Sequence, residues 1–170
     1  ETVPYVAPVV ALAYTWELLL DPNSGTLNSL LINYQIIETP INLLGQKYID
    51  INILGIDFKL RLALTTVIIF EIWRYFPLAF LFILARLQAI PKELYEAADV
   101  DGASPFQKFF KITLPQIIAV ISILFMIRFI WNFNKFEDIF LLTGGASGTR
   151  TLPINVYQQG FAVSNIGMGS

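Results

Sequence analysis

Some charged, amide and aromatic side chains interrupt the apolar runs of this sequence. These side chains are the best suited to bind a solute. Glu71 and Arg74 are three positions apart, so on a helix they share a face and can form an ion pair within a membrane. Arg128, Trp131 and Asn132 share a second helical face, and guanidinium and amide groups beside an aromatic ring suit a hydroxylated solute. The hypothesis is a solute path lined by these residues. The alternatives are a structural ion pair between packed helices and an arginine that extends to the outer interface.

Residue types that carry most hydrolytic chemistry are missing. The chain has no Cys and no His, which removes thiol nucleophiles, imidazole bases and the usual zinc or haem ligands. The glycine-rich stretch 144–149 lacks the lysine of a Walker A loop. The sequence therefore predicts a protein that is not an enzyme, has no metal or cofactor, and needs another chain for any ATP hydrolysis.

Composition favours lipid as the solvent. Of 170 residues, 55% are hydrophobic and 14% are charged, with a mean hydropathy of +0.62, whereas soluble domains are about a quarter charged. The formal net charge of -2 provides no basic surface for nucleic acid. We therefore expect a multi-pass membrane protein that contacts lipid and no nucleic acid.

Apolar and polar stretches alternate along the chain. The predicted spans are residues 3–20, 62–84 and 113–131, with the possible start of another at 161–170. The stretches 21–57 and 134–160 are predicted as outer loops, and the apolar pieces at 27–32 and 51–56 fit either short helices or strands at the membrane surface. We predict one all-α polytopic helical bundle over residues 1–170, a partial domain from which the first and last spans of a complete protein are missing.

Basic residues set the orientation. The stretch 85–112 contains Arg86, Lys92, Lys108 and Lys111, whereas residues 21–57 contain only Lys47. Because cytoplasmic loops are enriched in Lys and Arg, residues 85–112 are predicted to lie in the cytoplasm.

Local signals predict two short helices with a sharp turn within this cytoplasmic loop. Pro91 suits the first turn of a helix, and the pair Asp101-Gly102 provides a break that tolerates positive φ. Ser104 followed by Pro105 and, at the third position, Gln107 fits a capping box at the start of a second helix. The loop is therefore expected to fold as a helix-turn-helix elbow.

The same loop resembles a known family. The residues that carry the resemblance keep a fixed spacing and are Glu96, Ala97, Ala98, Gly102, Ile112, Leu114 and Pro115. They match the EAA loop of binding-protein-dependent ABC importer permeases. The flanking segments 84–104 and 140–145 (FLLTGG) are similar to the carbohydrate, maltose-type, branch of that family.

The resemblance implies a fold, a function and a set of partners. It implies the type I ABC importer permease fold in a prokaryotic inner membrane, and transport of a sugar or related polyol. It also implies coupling to cytoplasmic ATPase subunits, through residues 96–98, Asp101, Gly102, Ile112, Leu114 and Pro115. The implied partners also include a second permease subunit and an extracytoplasmic solute-binding protein. In physical terms, Ala97 and Ala98 permit close backbone approach and Glu96 offers a carboxylate to a basic partner. An amino-acid or peptide importer permease, and a passive channel or membrane scaffold, are the alternatives.

Overall fold

The computed structural model describes residues 3–53 and 56–162 of the chain and is mainly helical. The helices are α1 Val3–Val6, α2 Val9–Leu20, α3 Thr26–Asn33, α4 Leu62–Gln88, α5 Lys92–Val100, α6 Pro105–Lys108, α7 Leu114–Phe133, α8 Glu137–Thr143 and α9 Leu152–Tyr157. Two segments are π-helical, Phe109–Thr113 and Gln158–Ala162, and two strands are present, β1 Ile49–Ile53 and β2 Ile56–Leu60.

The first apolar run is broken into two helices. α1 and α2 are separated at Pro8, which precedes α2 in an extended conformation with ψ 133°, because a proline ring clashes with the carbonyl of an uninterrupted helix. α2 has 12 residues, fewer than the roughly 20 that cross a hydrocarbon core. The span predicted at 3–20 therefore remains a prediction.

Both stretches predicted as outer loops contain regular structure. In 21–57, the piece at 27–32 lies in α3. Of the piece at 51–56, residues 51–53 lie in β1 and Ile56 begins β2, and the two strands pair antiparallel with Ile49 opposite Leu60. The alternation of apolar and polar residues over 49–53 explains the strand. In 134–160, the chain forms α8, α9 and a π-helical turn. The span start predicted at 161–170 lies, beyond Ala162, outside the described residues.

Side-chain hydrogen bonds to the backbone organise the segment between α2 and β1. Asn28 is 2% exposed; its amide donates to the Ile41 carbonyl at 2.9 Å and accepts from the Ile41 N–H at 3.1 Å. Asp21 accepts from the N–H of Ser24 at 2.8 Å, the hydroxyl of Ser24 at 2.9 Å and the N–H of Asn23 at 2.9 Å. These bonds stabilise the carboxylate and lower the pKa of Asp21.

The chain divides into two compact units. The first comprises Glu1–Tyr5 and Tyr75–Asn132, and the second comprises Val6–Arg74 and Phe133–Ser170. The buried core of the second unit is formed by Leu12, Ala13, Val67, Phe70 and Leu142. Trp16 packs edge-on against Phe70, with ring centroids 5.3 Å apart.

Within residues 3–53 and 56–162, two continuous helical stretches are long and apolar enough to cross a membrane. They are Leu62–Gln88, with 27 residues, and Pro105–Phe133, with 29, equivalent to about 40 Å each at 1.5 Å per residue. Pro77 lies inside α4 without ending it, as membrane helices tolerate when neighbours satisfy the freed carbonyl. The second stretch begins eight residues before the predicted start at Thr113, because α6 and the π-helical turn lead directly into α7.

Candidate functional site

The corner of the elbow between α5 and α6 is a Schellman turn. The Ala103 N–H donates to the Ala98 carbonyl at 2.9 Å, and the Gly102 N–H donates to the Asp99 carbonyl at 3.0 Å. Gly102 has φ +71°, in the left-handed region that glycine adopts at little cost. The predicted break at Asp101-Gly102 is confirmed. Pro91 lies at the N-cap of α5, one position before the first turn where the sequence placed it.

The space around Gly102 is open. A Cβ added there meets nothing within 4 Å, so a side chain would not clash with the rest of the corner. The requirement for glycine is therefore conformational, because a β-branched residue at positive φ is strained. The corner is open to a partner.

The start of α6 has the predicted capping box. The Ser104 hydroxyl accepts from the Gln107 N–H at 3.4 Å, and the Gln107 side chain accepts from the Ser104 N–H at 2.8 Å. Pro105 occupies the first helical position, where its missing N–H costs nothing.

Most of the motif residues of the elbow are accessible. Glu96, Ala97, Asp101, Gly102 and Pro115 are exposed, whereas Ala98, Ile112 and Leu114 are half-buried. A cleft of about 330 Å³ lies on the elbow and is lined by Ala98, Asp101, Ala103, Gln107, Lys108, Lys111 and Ile112. The apolar side chains of Val100 and Phe106 are 88% and 77% exposed. The elbow thus presents a polar and apolar surface that this chain leaves uncovered.

Three side-chain contacts within the first unit stabilise the elbow and its junction with the long helices. The Tyr95 hydroxyl lies 2.8 Å from the Thr113 hydroxyl. Lys108 pairs with Asp99 across the elbow. Near the end of α4, Arg86 hydrogen-bonds the side chain of Gln116 in the first turn of α7.

A cluster of four charges lies in the second unit. Arg74 pairs with Asp138 of α8, and Lys135 pairs with both Asp138 and Glu71, the latter at 3.0 Å. The side chains of the four are between 3% and 16% exposed. Two carboxylates and two cations make the cluster formally neutral, as an ion group out of water requires.

Arg128 is held by an aromatic ring within the first unit. Its guanidinium carbon lies 3.6 Å from the centre of the Tyr75 ring, a cation–π contact. Tyr75 also packs edge-on against Tyr5, with centroids 6.1 Å apart. Trp131 and Asn132 are exposed. The structure thus places Arg128, Trp131 and Asn132 in the first unit, whereas Glu71 and Arg74 belong to the second.

The glycine-rich stretch 144–149 forms a tight turn stabilised by contacts from the second unit. Gly144, Gly145 and Gly148 have positive φ, as does Ser147 at 54°. The Ser147 hydroxyl donates to the Gly45 carbonyl at 2.6 Å. A Cβ on Gly145 would lie 2.6 Å from Ile154, so this position also excludes a side chain on steric grounds.

Sequence reasoning missed the residues that complete these groups. Lys135 and Asp138 follow α7 and are three apart, so two opposite charges directly after an apolar run were the available signal. Tyr75, Tyr95 and Thr113 gave no local signal, because each acts through a contact with a residue distant in sequence.

These observations define a polytopic helical membrane protein in which a polar helical elbow connects two long apolar helices. Residues 2–166 match the family described as "Binding-protein-dependent transport system inner membrane component", and the chain belongs to this family. Membership makes it a component of a transport system rather than an enzyme, as the sequence predicts, and an inner-membrane protein.

Named relatives agree with this assignment. The chain is 36% identical over 163 residues to the "Inner membrane ABC transporter permease protein YcjO" of Escherichia coli (strain K12), covering 96% of this chain and 50% of that protein. It is 35% identical over 154 residues to the "Trehalose/maltose transport system permease protein MalF" of Thermococcus litoralis, covering 91% and 47%. The chain thus spans about half the length of these relatives.

A solved structure shares the fold. The chain superimposes with a TM-score of 0.70 on the crystal structure of a bacterial ABC transporter involved in the import of the acidic polysaccharide alginate, with 22% identity, 98% coverage of this chain and 54% of the other. This likeness confirms the predicted permease fold.

Proposed function

We propose that the chain is part of the permease subunit of an ATP-driven importer, forms part of the path of a sugar or related polyol, and is coupled to a separate ATPase through its elbow. The partners are cytoplasmic ATPase subunits, a second permease subunit and an extracytoplasmic solute-binding protein. The elbow lies on the cytoplasmic side of the membrane, and the turn at 144–149 lies on the outer side.

The geometry of the elbow is the observation that carries the coupling role. No residue of α5, all of which is described, is buried, although a short helix gains most of its stability from packing. Instead, α5 is fixed at its C-terminal end by the Schellman turn and near its middle by the contact of Tyr95 with Thr113. A helix that is held in place yet uncovered is suited to seat in a partner, and Glu96 supplies an exposed carboxylate for a basic group there.

The solute class follows from the relatives and from the accessible side chains. One relative is named for trehalose and maltose transport. Trp131 and Asn132 provide an aromatic face and an amide, which match the apolar face and hydroxyls of a sugar ring. Arg128 is the charged residue of this group in the first unit, and Glu71 and Arg74 are the charged residues in the second unit that the sequence assigns to a solute path.

A pair of substitutions at Gly102 tests the coupling role. Val at this position is strained at φ +71°, whereas Asn tolerates that region several-fold better. In the complete transporter, Gly102→Val should abolish receptor-stimulated ATP hydrolysis while membrane insertion is retained. Gly102→Asn should keep most of it. Normal stimulation of the Gly102→Val transporter at normal protein level would refute the coupling role.

A solute panel tests the substrate class separately. The full-length permease, its partner subunit, ATPase and receptor are reconstituted in liposomes, and ATP hydrolysis is measured with receptor plus maltose, trehalose, glycerol, glutamine or a tripeptide. We expect stimulation by a sugar or the polyol. Stimulation by glutamine or the tripeptide alone would assign the chain to an amino-acid or peptide importer.

A further inference from the structure

A π-helical turn lies where the elbow joins the second long helix. The Leu114 N–H donates to the carbonyl of Phe109, five residues earlier, so the turn Phe109–Thr113 contains one residue more than an α-helical turn. Pro115 accounts for the position of this turn, because it has no N–H to donate and its ring would clash with the carbonyl four residues before it. Such turns are rare, occur mostly as single turns inside α-helices, and are frequent at functional sites.

Tyr95 contacts this turn directly. Its hydroxyl lies 2.8 Å from that of Thr113, the last residue of the π-helical segment, and the contact is partly buried. Tyr95 is in the middle of α5, one position before Glu96. The bond therefore joins the exposed helix of the elbow to the base of α7 through two side chains that are 18 residues apart in sequence.

The other two attachments of the elbow have different targets. Lys108 and Asp99 connect α6 with α5, so they stabilise the elbow internally. Arg86 and Gln116 connect α4 with α7, so they bypass α5. Among these three side-chain attachments, Tyr95 with Thr113 is the one that links α5 to the base of α7.

We propose that Tyr95 is a positioning residue that makes α5 and the base of α7 move together, so that displacement of the elbow by the ATPase reaches α7. This inference rests on the proposed coupling function. Without the bond, α5 keeps the pair of Asp99 with Lys108 near its C-terminal end, but it loses the hydrogen bond that joins its middle to the residue before α7. Removing or adding one residue in a helix rotates the rest of the helix by about 100°, so the π-helical turn is a place where a small displacement changes the orientation of α7.

The test measures transmission without requiring a solute. This part of the chain has no cysteine, so Ile130→Cys near the far end of α7 provides a single reporter once any cysteines elsewhere in the transporter are replaced by serine. Its rate of reaction with a fluorescent maleimide is measured in the complete reconstituted transporter, nucleotide-free and with ATP plus vanadate. The variants are Tyr95→Phe and Thr113→Val, each of which removes one hydroxyl, together with Thr113→Ser, which keeps it. Tyr34→Phe removes a hydroxyl from a tyrosine that is 75% exposed and is the matched control.

The nucleotide-dependent change in labelling rate should differ between the variants. Tyr95→Phe and Thr113→Val should each reduce the nucleotide-dependent change in labelling rate by about three- to tenfold, the range expected for one hydrogen bond. The double variant should be no worse than either single variant, and Thr113→Ser and Tyr34→Phe should behave like the parent. Basal ATP hydrolysis, measured without receptor, should persist in all of them, because the ATPase itself is unaltered.

Failure of this inference is distinguishable from failure of the coupling function. Gly102→Val is measured with the same reporter and should abolish the response. If Gly102→Val abolishes it and Tyr95→Phe leaves it unchanged, the positioning role of Tyr95 is wrong and the coupling role stands. If Gly102→Val also responds normally, the coupling role itself is wrong. Additive losses in the double variant would also overturn the inference, because they would mean that the two hydroxyls act separately.

Discussion

The ammonium group of Lys135 lies 3.0 Å from the carboxylate of Glu71, although Glu71 is in the first long helix and Lys135 comes after the second. Lys135 also pairs with Asp138, and Asp138 pairs with Arg74. Lys135 therefore bridges the carboxylates of Glu71 and Asp138. Without Lys135, Arg74 would be the one cation of this cluster beside two carboxylates.

Removing this bridge should destabilise the second unit. Lys135→Met leaves two largely buried carboxylates with one cation fewer, and removing one partner of a buried ion group costs about 3–5 kcal/mol. We expect a clear fall in the unfolding temperature in detergent, measured by the loss of monodisperse protein after heating. Lys135→Arg should retain most of the stability.

The double variant Glu71→Gln/Lys135→Met controls for simple loss of a side chain. Because it removes one charge of each sign, it should be more stable than Lys135→Met alone. Lys92→Met, at an exposed position, should be neutral. A double variant that is less stable than Lys135→Met would contradict an electrostatic role for the cluster.

The buried amide of Asn28 should also be important for stability. Asn28→Ala would leave the N–H and carbonyl of Ile41 without their side-chain partner, and unsatisfied buried groups cost about 1–3 kcal/mol each. The expected result is a fall in the unfolding temperature together with faster proteolysis between α3 and β1. Asn33→Ala, in the same helix but exposed, should have no such effect, and equal effects of the two variants would argue against this role.

The orientation in the membrane can be tested with single cysteines. Lys92→Cys should react with a membrane-impermeant maleimide only from the cytoplasm, and Ser24→Cys and Arg150→Cys only from outside. Arg150 is preferable to Gly148 in the outer turn, because the φ of +84° at Gly148 disfavours any side chain. Labelling of positions 92 and 150 from the same side would refute the predicted span at 113–131.

The solute path makes a separate prediction about affinity. Trp131→Ala and Asn132→Ala should each raise the solute concentration at half-maximal transport by about three- to tenfold, because each removes one contact worth about 1 kcal/mol. Ile130→Ala, an adjacent exposed position, serves as the control. Expression and basal ATP hydrolysis should be unchanged. Unchanged concentration dependence in both variants would place the solute elsewhere.

Features with a local cause could be predicted from the sequence. The capping box of Ser104 and Gln107 and the left-handed Gly102 depend on residues within five positions of one another, and both predictions are confirmed. The membrane class followed from composition, because a chain this apolar has few alternatives. The family followed from the fixed spacing of the elbow residues and is confirmed by the match over residues 2–166.

Features that depend on contacts between distant residues could not be predicted. The choice between helix and strand at 51–56 is decided by pairing, since residues 49–53 form a ladder with residues 56–60. The sequence indicated that Glu71 and Arg74 could pair with each other, but it gave no reason to bring Lys135 and Asp138 to them. The topology and the site roles of the elbow and of the solute path stay predictions until the cysteine, ATPase and transport measurements are made.

The exposure of α7 determines how freely its sequence can vary. Among the described residues, Ile117 is the only buried position of this 20-residue helix, so most of its apolar side chains have no fixed neighbour within this part of the chain. At an exposed position of a membrane helix that needs only an apolar side chain, Ile, Leu, Phe and Met can replace one another at little cost. A saturation-mutagenesis map of α7 should therefore be permissive at the exposed positions Ile118, Ile121 and Ile123 towards any hydrophobic residue. Ile117 should accept few replacements, and any further intolerant position would reveal where another part of the full-length transporter contacts α7.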